Sequence, residues 1–74
     1  MGVNLTMALT MAEKLIVRGA KIIGADRDET TGIVLALRES EQQAKFLDWM
    51  EKNLETATPS DLIGKTMDIV AGRN

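Results

Sequence analysis

The 74-residue chain contains no histidine, no cysteine and no tyrosine. Histidine is the side chain that most often transfers protons near neutral pH, and the cysteine thiolate is a strong nucleophile and metal ligand. Carboxylates, lysine, serine and threonine are the reactive side chains that remain. We therefore expect no enzymatic activity, no cofactor and no metal site.

Aromatic residues and long hydrophobic runs are also scarce. The chain has one tryptophan and one phenylalanine, and no apolar run approaches the roughly 18 residues that a membrane-spanning helix needs. The N-terminus lacks the basic and apolar segments of a secretory signal. We expect one small globular domain over residues 1–74, located in the cytoplasm and without membrane contact. Without disulfides, its stability must come from apolar burial, within one chain or shared between copies.

Charge is distributed unevenly along the chain, although the net charge is only −2. Residues 1–25 hold Lys14, Arg18 and Lys21 against Glu13, whereas residues 26–74 hold ten acids against six bases. Nucleic-acid binders usually carry a clear basic face, because phosphate neutralisation supplies most of their affinity. This pattern argues against a nucleic-acid partner. The alternative is a dimeric nucleic-acid-binding regulator that doubles these three bases across a symmetry axis.

The first predicted element is an amphipathic helix from Asn4 to about Arg18. Asn4 can cap its start, and Gly19 suits the left-handed position that commonly ends a helix. Glu13 and Lys14 are expected on its solvent face. The apolar positions that share the inner arc are Leu5, Ala8, Leu9, Met11, Ala12, Leu15 and Ile16.

A β-hairpin is predicted next. Two short apolar runs, 21–25 and 33–37, flank the polar connector 26–32, and this arrangement is typical of paired strands. Both faces of such a ribbon would be apolar, so it must be covered on both sides or extended by another copy. A rival interpretation makes residues 29–54 one long helix, and the glycine at Gly32 with the β-branched residues after it counts against that.

Two further helices complete the prediction. Ser40-x-x-Gln43 has the form of a capping box and opens a helix whose inner stripe is Phe46, Leu47, Met50 and Leu54, with Trp49 at the margin. Thr58 and Pro59 are the N-cap and first residue of a helix that runs to about Ala71. The predicted fold class is therefore α+β, a helix–β-hairpin–helix–helix domain of order α-β-β-α-α.

The connector Asp26-Arg27-Asp28-Glu29-Thr30 resembles the Asp-x-Asp-x-Thr motif of haloacid-dehalogenase-type phosphatases. The resemblance implies a carboxylate-dependent phosphatase or Mg²⁺-binding activity, with Asp26 as nucleophile and Asp28 as acid and base. It covers five residues, and a chain of 74 residues has no room for that family's parallel sheet. We expect the connector to be a solvated hairpin tip instead.

The apolar surface of these elements exceeds what so short a chain is expected to hide. We therefore predict a homodimer that also binds another, unidentified protein: a small regulatory or accessory protein of bacterial or phage type. Four methionines are expected to fill the core, although they could instead form an adaptable binding surface: Met7, Met11, Met50 and Met67. The residues predicted to mediate interaction are Ile23, Val34, Trp49, Leu62, Ile69 and Val70.

Overall fold

Four helices make up the part of the protein that the structure describes. The structure, a computed structural model, describes residues 9–73. The helices are α1 (Met11–Ile23), α2 (Arg27–Ser40), α3 (Gln43–Asn53) and α4 (Pro59–Val70). They contain 77% of the described residues, which include no strand, and they pack into a four-helix bundle-like fold. The prediction of an α+β fold of order α-β-β-α-α is therefore wrong.

Helix α1 is displaced along the chain from its predicted position. Thr10 is its N-cap: the Thr10 hydroxyl accepts a hydrogen bond from the Glu13 N–H at 3.1 Å, and a Glu13 carboxylate oxygen accepts one from the Thr10 N–H at 2.9 Å. The proposed cap, Asn4, lies outside the described residues. The predicted end at Gly19 is wrong, because the helix continues to Ile23. Gly24 is its C-cap, and the φ of 109° at Gly24 is the left-handed geometry that ends the helix.

The predicted hairpin is replaced by the end of α1 and the whole of α2. Asp26 starts α2 with a capping box, in which its carboxylate accepts from the Glu29 N–H at 2.7 Å and the Glu29 carboxylate accepts from the Asp26 N–H at 2.9 Å. This cap fixes the first turn, and helical spacing then aligns the apolar residues behind it. Burial against the other helices outweighs the modest β preference of these residues. The buried positions of α2 are Thr30, Ile33, Val34 and Leu37.

The boundary between α2 and α3 also differs from the prediction. Ser40 is the last residue of α2, and its hydroxyl donates to the Leu37 carbonyl at 3.2 Å, so the predicted Ser40–Gln43 capping box is wrong. Glu41 follows as the C-cap, and its left-handed φ of 59° ends α2 before α3 begins. The rival interpretation of one helix over 29–54 therefore holds only as far as Ser40.

The start of α4 is confirmed. The Thr58 hydroxyl accepts from the Asp61 N–H at 3.2 Å, and the Asp61 carboxylate accepts from the Thr58 N–H at 3.0 Å. Pro59 occupies the first turn, where its fixed φ suits a helix and its missing N–H costs no hydrogen bond. The last helical residue is Val70, one before the predicted end.

All four helices contribute to one apolar core. Helix α1 packs most closely on α3, and α2 packs most closely on α4. Gly19 lies buried where α1 meets α3. The two helices approach so closely there that a Cβ at this position would collide with the Met50 sulfur. The predicted inner stripe of α3 is confirmed, with Phe46 and Met50 buried. The buried apolar residues are Ile16, Ala20, Ile33, Val34, Leu37, Phe46, Met50, Leu62 and Ile69.

A buried carboxylate joins three helices. Glu13, predicted on the solvent face of α1, is only 1% exposed. Arg38 of α2 donates two hydrogen bonds to it, from Nε at 2.8 Å and from Nη2 at 3.0 Å, and the side-chain amide of Gln43 in α3 donates another. The Arg38 hydrogen bonds lower the pKa of Glu13 from 4.5 to about 2, against the opposing effect of burial. The carboxylate therefore stays ionised at neutral pH and fixes the relative position of α1, α2 and α3.

Candidate interaction surfaces

The predicted phosphatase-like connector is the first turn of a helix. Asp26 and Asp28 are both exposed, and the Asp26 carboxylate caps α2. The segment before them is the end of α1, so the strand that precedes this motif in haloacid-dehalogenase-type phosphatases is replaced by a helix. Within residues 9–73 no group of three or more acidic side chains is placed to hold a metal ion. Helix capping thus accounts for Asp26, and Asp28 lies in the first turn of α2, near the positive end of the helix dipole.

The interior of the described residues offers no unpaired polar side chain that could bind a ligand. Every buried side-chain nitrogen or oxygen of the described residues has a hydrogen-bond partner. One shallow depression lies at the end of α3, lined by Glu51, Lys52, Leu54, Glu55 and Thr56. Its charged side chains face open solvent, so it provides little apolar enclosure for a small molecule.

The six predicted interaction residues are distributed between core and surface. Val34, Leu62 and Ile69 are buried within the single chain. Ile23 and Trp49 are half-buried and pack against the core, whereas Val70 is 47% exposed. Intramolecular packing thus accounts for the first five, and of the six only Val70 is an exposed residue.

Trp49 links α3 to α4. Its ring lies 5.8 Å from the Phe46 ring, centroid to centroid, at an interplanar angle of 44°. The Lys65 Nζ of α4 lies 6.0 Å from the Trp49 ring centroid, at the outer limit of a cation–π contact. Trp49 therefore lies at the margin of the core, with the Lys65 ammonium over its ring.

Helix α1 carries exposed apolar side chains on the side away from the core. Met11 is 71% exposed, Leu15 40% and Ile22 64%. Together with Arg18 they follow the spacing 4, 3, 4 along one helical stripe, and we call these four residues the α1 surface. The sequence prediction placed Met11 and Leu15 inward. It missed this surface because α1 is apolar on two sides, and its inner side is set by Ile16 and Ala20.

Of the three bases considered for nucleic-acid binding, Arg18 belongs to the α1 surface, and Lys14 and Lys21 lie beside it. Lys14, Arg18 and Lys21 are exposed and, at spacings of four and three, share one side of the helix. Arg18 stands within the apolar stripe, and the two lysines flank it. None of these three side chains makes an ion pair or hydrogen bond with another described residue. The structure thus combines three bases and three apolar side chains on one helical face.

Helix α4 carries a second exposed apolar stripe with a different character. Ile63 is 37% exposed, Met67 60% and Val70 47%, at spacings of four and three, and we call these residues the α4 surface. The exposed positions beside it are small, Gly64 and Ala71. The charged residues of α4 lie further round the helix, where Asp68 pairs with Arg73 at 3.1 Å. The α4 surface is therefore apolar, uncharged and easily approached.

Comparison with known proteins yields no relative. No protein-family model matches the chain, and no curated protein or solved structure is significantly similar to it. None of the described helices is long and apolar enough to cross a bilayer.

Proposed function

We propose that this protein is a small cytoplasmic protein-interaction module without catalytic activity, which self-associates as a symmetric homodimer through the α4 surface. The observation that supports this proposal is the exposed stripe of Ile63, Met67 and Val70 on a helix whose other side is buried in the core. Apolar side chains at alternating spacings of four and three form the seam of paired helices.

A second copy of the chain is the occupant that best fits the α4 surface. In a two-fold dimer each copy presents the same residues, so the surface must be compatible with itself. The α4 surface meets that condition, because it brings no like charges together. Gly64 and Ala71 beside it allow two helix backbones to approach closely, and no other side chain lies within 4 Å of a Cβ at Gly64.

The α1 surface does not meet the same condition. A two-fold pairing of α1 with its own copy brings six positive charges into one contact, with Arg18 in the middle of each stripe. Like charges at such a contact oppose association, and a desolvated guanidinium without a carboxylate is costly. Self-association through α4 is therefore the favoured arrangement.

The expected dimer is weak. A stable protein interface buries about 800 Å² on each partner. Helix α4 has 12 residues, is about 18 Å long and carries three exposed apolar side chains. One helix face of this size covers less than the standard area. We expect a dissociation constant on the order of 10 μM or weaker, so that the monomer and dimer exchange with concentration.

Sedimentation velocity over a concentration series from about 5 μM to 1 mM, a range set by this expected affinity, tests the proposal. The wild type should shift from monomer to dimer across the series. Met67→Glu, which puts a charge in the middle of the α4 surface, should remain monomeric. Met11→Glu is the matched control, because Met11 is even more exposed and lies on α1. A wild type that stays monomeric at the highest concentration, or equal behaviour of the two variants, would refute self-association through α4.

A further inference from the structure

The α1 surface has the residue pattern of one helix of a coiled coil. Met11, Leu15, Arg18 and Ile22 occupy the alternating seam positions, and Lys14 and Lys21 are seven residues apart at the flanking position. In paired helices, charges at this flanking position select the partner by forming salt bridges across the seam. The other flank of the stripe is closed, since Gly19 is buried against Met50 of α3.

We infer that the α1 surface binds an amphipathic helix of another protein, with acidic side chains along the flank that meets Lys14 and Lys21 and a carboxylate facing Arg18. This inference adds a second binding surface to the proposed function. It does not depend on self-association, because none of the residues involved belongs to α4.

Charge complementarity is the reason for an acidic partner. Lys14, Arg18 and Lys21 are positive and have no ionic partner among the described residues. Covering the apolar side chains of the stripe also covers Arg18, which then requires a carboxylate to avoid an unpaired charge. A guanidinium can take a carboxylate through two parallel hydrogen bonds, which would also fix the register of the two helices.

The interleaving of bases with apolar residues favours a helix over a nucleic acid. A phosphate backbone would neutralise the three bases and leave Met11 and Ile22, 71% and 64% exposed, in water. Three phosphate contacts also supply only a small part of the electrostatic affinity of a typical nucleic-acid binder. A helix with its own apolar stripe covers both kinds of side chain at once.

The same geometry favours a helix over an anionic membrane. A helix that lies in a membrane interface buries its whole apolar face by about 5–10 Å. Here the inner face of α1 is held in the core by Ile16 and Ala20, so that only three apolar side chains can enter lipid. Membrane attraction from three bases is modest, at about 1 kcal/mol for each base near the surface.

A pair of synthetic helical peptides tests the inference directly. The acidic peptide has three heptads with glutamate at both flanking positions and leucine at the seam positions, except for one seam glutamate that can face Arg18. The basic peptide has lysine in place of every glutamate. Each is labelled, and binding to the wild-type chain is followed by fluorescence anisotropy. We expect the acidic peptide to bind at least about tenfold more tightly than the basic one at low salt, with the difference falling as salt increases.

Charge reversal makes the test specific to α1. The triple variant Lys14→Glu, Arg18→Glu and Lys21→Glu should reverse the preference and bind the basic peptide. The control variant carries the same change in net charge elsewhere, at the exposed residues Arg27, Lys52 and Arg73, each replaced by glutamate. It should keep the preference of the wild type.

The apolar contribution is tested by two single variants that separate the surfaces. Ile22→Ser should weaken binding of the acidic peptide about tenfold or more, since it removes a largely exposed apolar side chain from the stripe. Met67→Ser should leave peptide binding unchanged while weakening self-association. Circular dichroism before each titration confirms that the variants are folded.

Several results would overturn the inference. These are equal binding of the two peptides, an unchanged preference in the charge-reversed variant, or tighter binding to phosphatidylserine-containing vesicles or to a short DNA duplex. Failure of the α4 proposal is seen separately, because it changes the sedimentation series and leaves the peptide titrations unaffected.

Discussion

Breaking the ion pair between Glu13 and Arg38 should destabilise the fold, and by different amounts from its two sides. The carboxylate is 1% exposed, whereas the Arg38 side chain is 38% exposed. Arg38→Met therefore leaves the buried Glu13 carboxylate without its positive partner, with only hydrogen bonds from Gln43 and the Thr10 N–H. It should lower the free energy of unfolding by about 3 kcal/mol at pH 7. Glu13→Gln leaves a guanidinium that can turn to water, and should cost about 1–2 kcal/mol.

The pH dependence of stability gives an independent measure of the same contact. The pKa of Glu13 falls from 4.5 to about 2 on folding, chiefly through the Arg38 hydrogen bonds. A lowered pKa in the folded state means that the stabilisation is present above pH 4.5 and is lost as the pH falls from 4.5 to 2. The full effect corresponds to about 3 kcal/mol at neutral pH. In Arg38→Met, burial instead favours the neutral acid, so its deficit relative to the wild type should shrink in that range.

Urea denaturation followed by circular dichroism measures both effects. The wild type, Arg38→Met, Glu13→Gln and the double variant are compared at pH 7, and the first two also in steps from pH 5 down to 2.5. The double variant should be less destabilised than the sum of the single variants, because the stranded charge is gone. The reasoning fails if both single variants lie within about 0.5 kcal/mol of the wild type, the range of ordinary surface substitutions. It also fails if the deficit of Arg38→Met does not change with pH.

Two further contrasts test the packing and the helix boundaries. Gly19→Ala should destabilise the chain by about 1–3 kcal/mol, because the new methyl group collides with Met50. Gly32→Ala should stabilise it by up to about 1 kcal/mol, because no neighbour lies within 4 Å of the new methyl group and alanine favours a helix. Thermal denaturation measures both. A stabilised Gly19→Ala would contradict the close approach of α1 and α3. Asp26→Ala should lower the free energy of unfolding by about 1 kcal/mol, because it removes the cap of α2. Ser40→Ala should lower it by less than about 0.5 kcal/mol, because Ser40 does not cap α3. The opposite order would instead support Ser40 as the N-cap of α3.

The error over residues 21–37 shows why the sequence favoured a hairpin. Ile22-Ile23 and Ile33-Val34 are β-branched pairs on either side of a polar segment, and this local composition is typical of strands. The signal that decides the structure is the Asp26-x-x-Glu29 capping box, whose polar residues are also typical of turns. The local pattern could support either structure, and burial of α2 between its neighbours decides between them.

The start of α4 could be predicted because its cap is a local signal. Thr58, Pro59 and Asp61 act within four residues and need no information from the rest of the chain. The inner side of α1 could not be predicted in the same way. That helix is apolar on two sides, and an acidic residue, Glu13, occupies the inner one because Arg38 reaches it from 25 residues away. Only tertiary structure makes a charged side chain part of an interior.

The candidate surfaces depend on that same choice. Once Ile16 and Ala20 face inward, Met11, Leu15 and Ile22 must face outward beside the bases. Spacing alone could place Lys14, Arg18 and Lys21 on one side of a helix, and the sequence did single them out. What it could not show is that an apolar stripe lies next to them, and this stripe changes the expected partner from a phosphate backbone to a helix.

Disulfide cross-linking is the most direct test of the proposed dimer, because the chain has no cysteine of its own. Met67→Cys introduces a thiol in the middle of the α4 surface, near the two-fold axis of the proposed dimer. Met11→Cys introduces one on α1 at similar exposure, 71% against 60%. Under mild oxidation Met67→Cys should form a covalent dimer rapidly, and Met11→Cys should do so slowly if at all. Equal rates for the two variants, or faster cross-linking through Met11→Cys, would contradict self-association through α4.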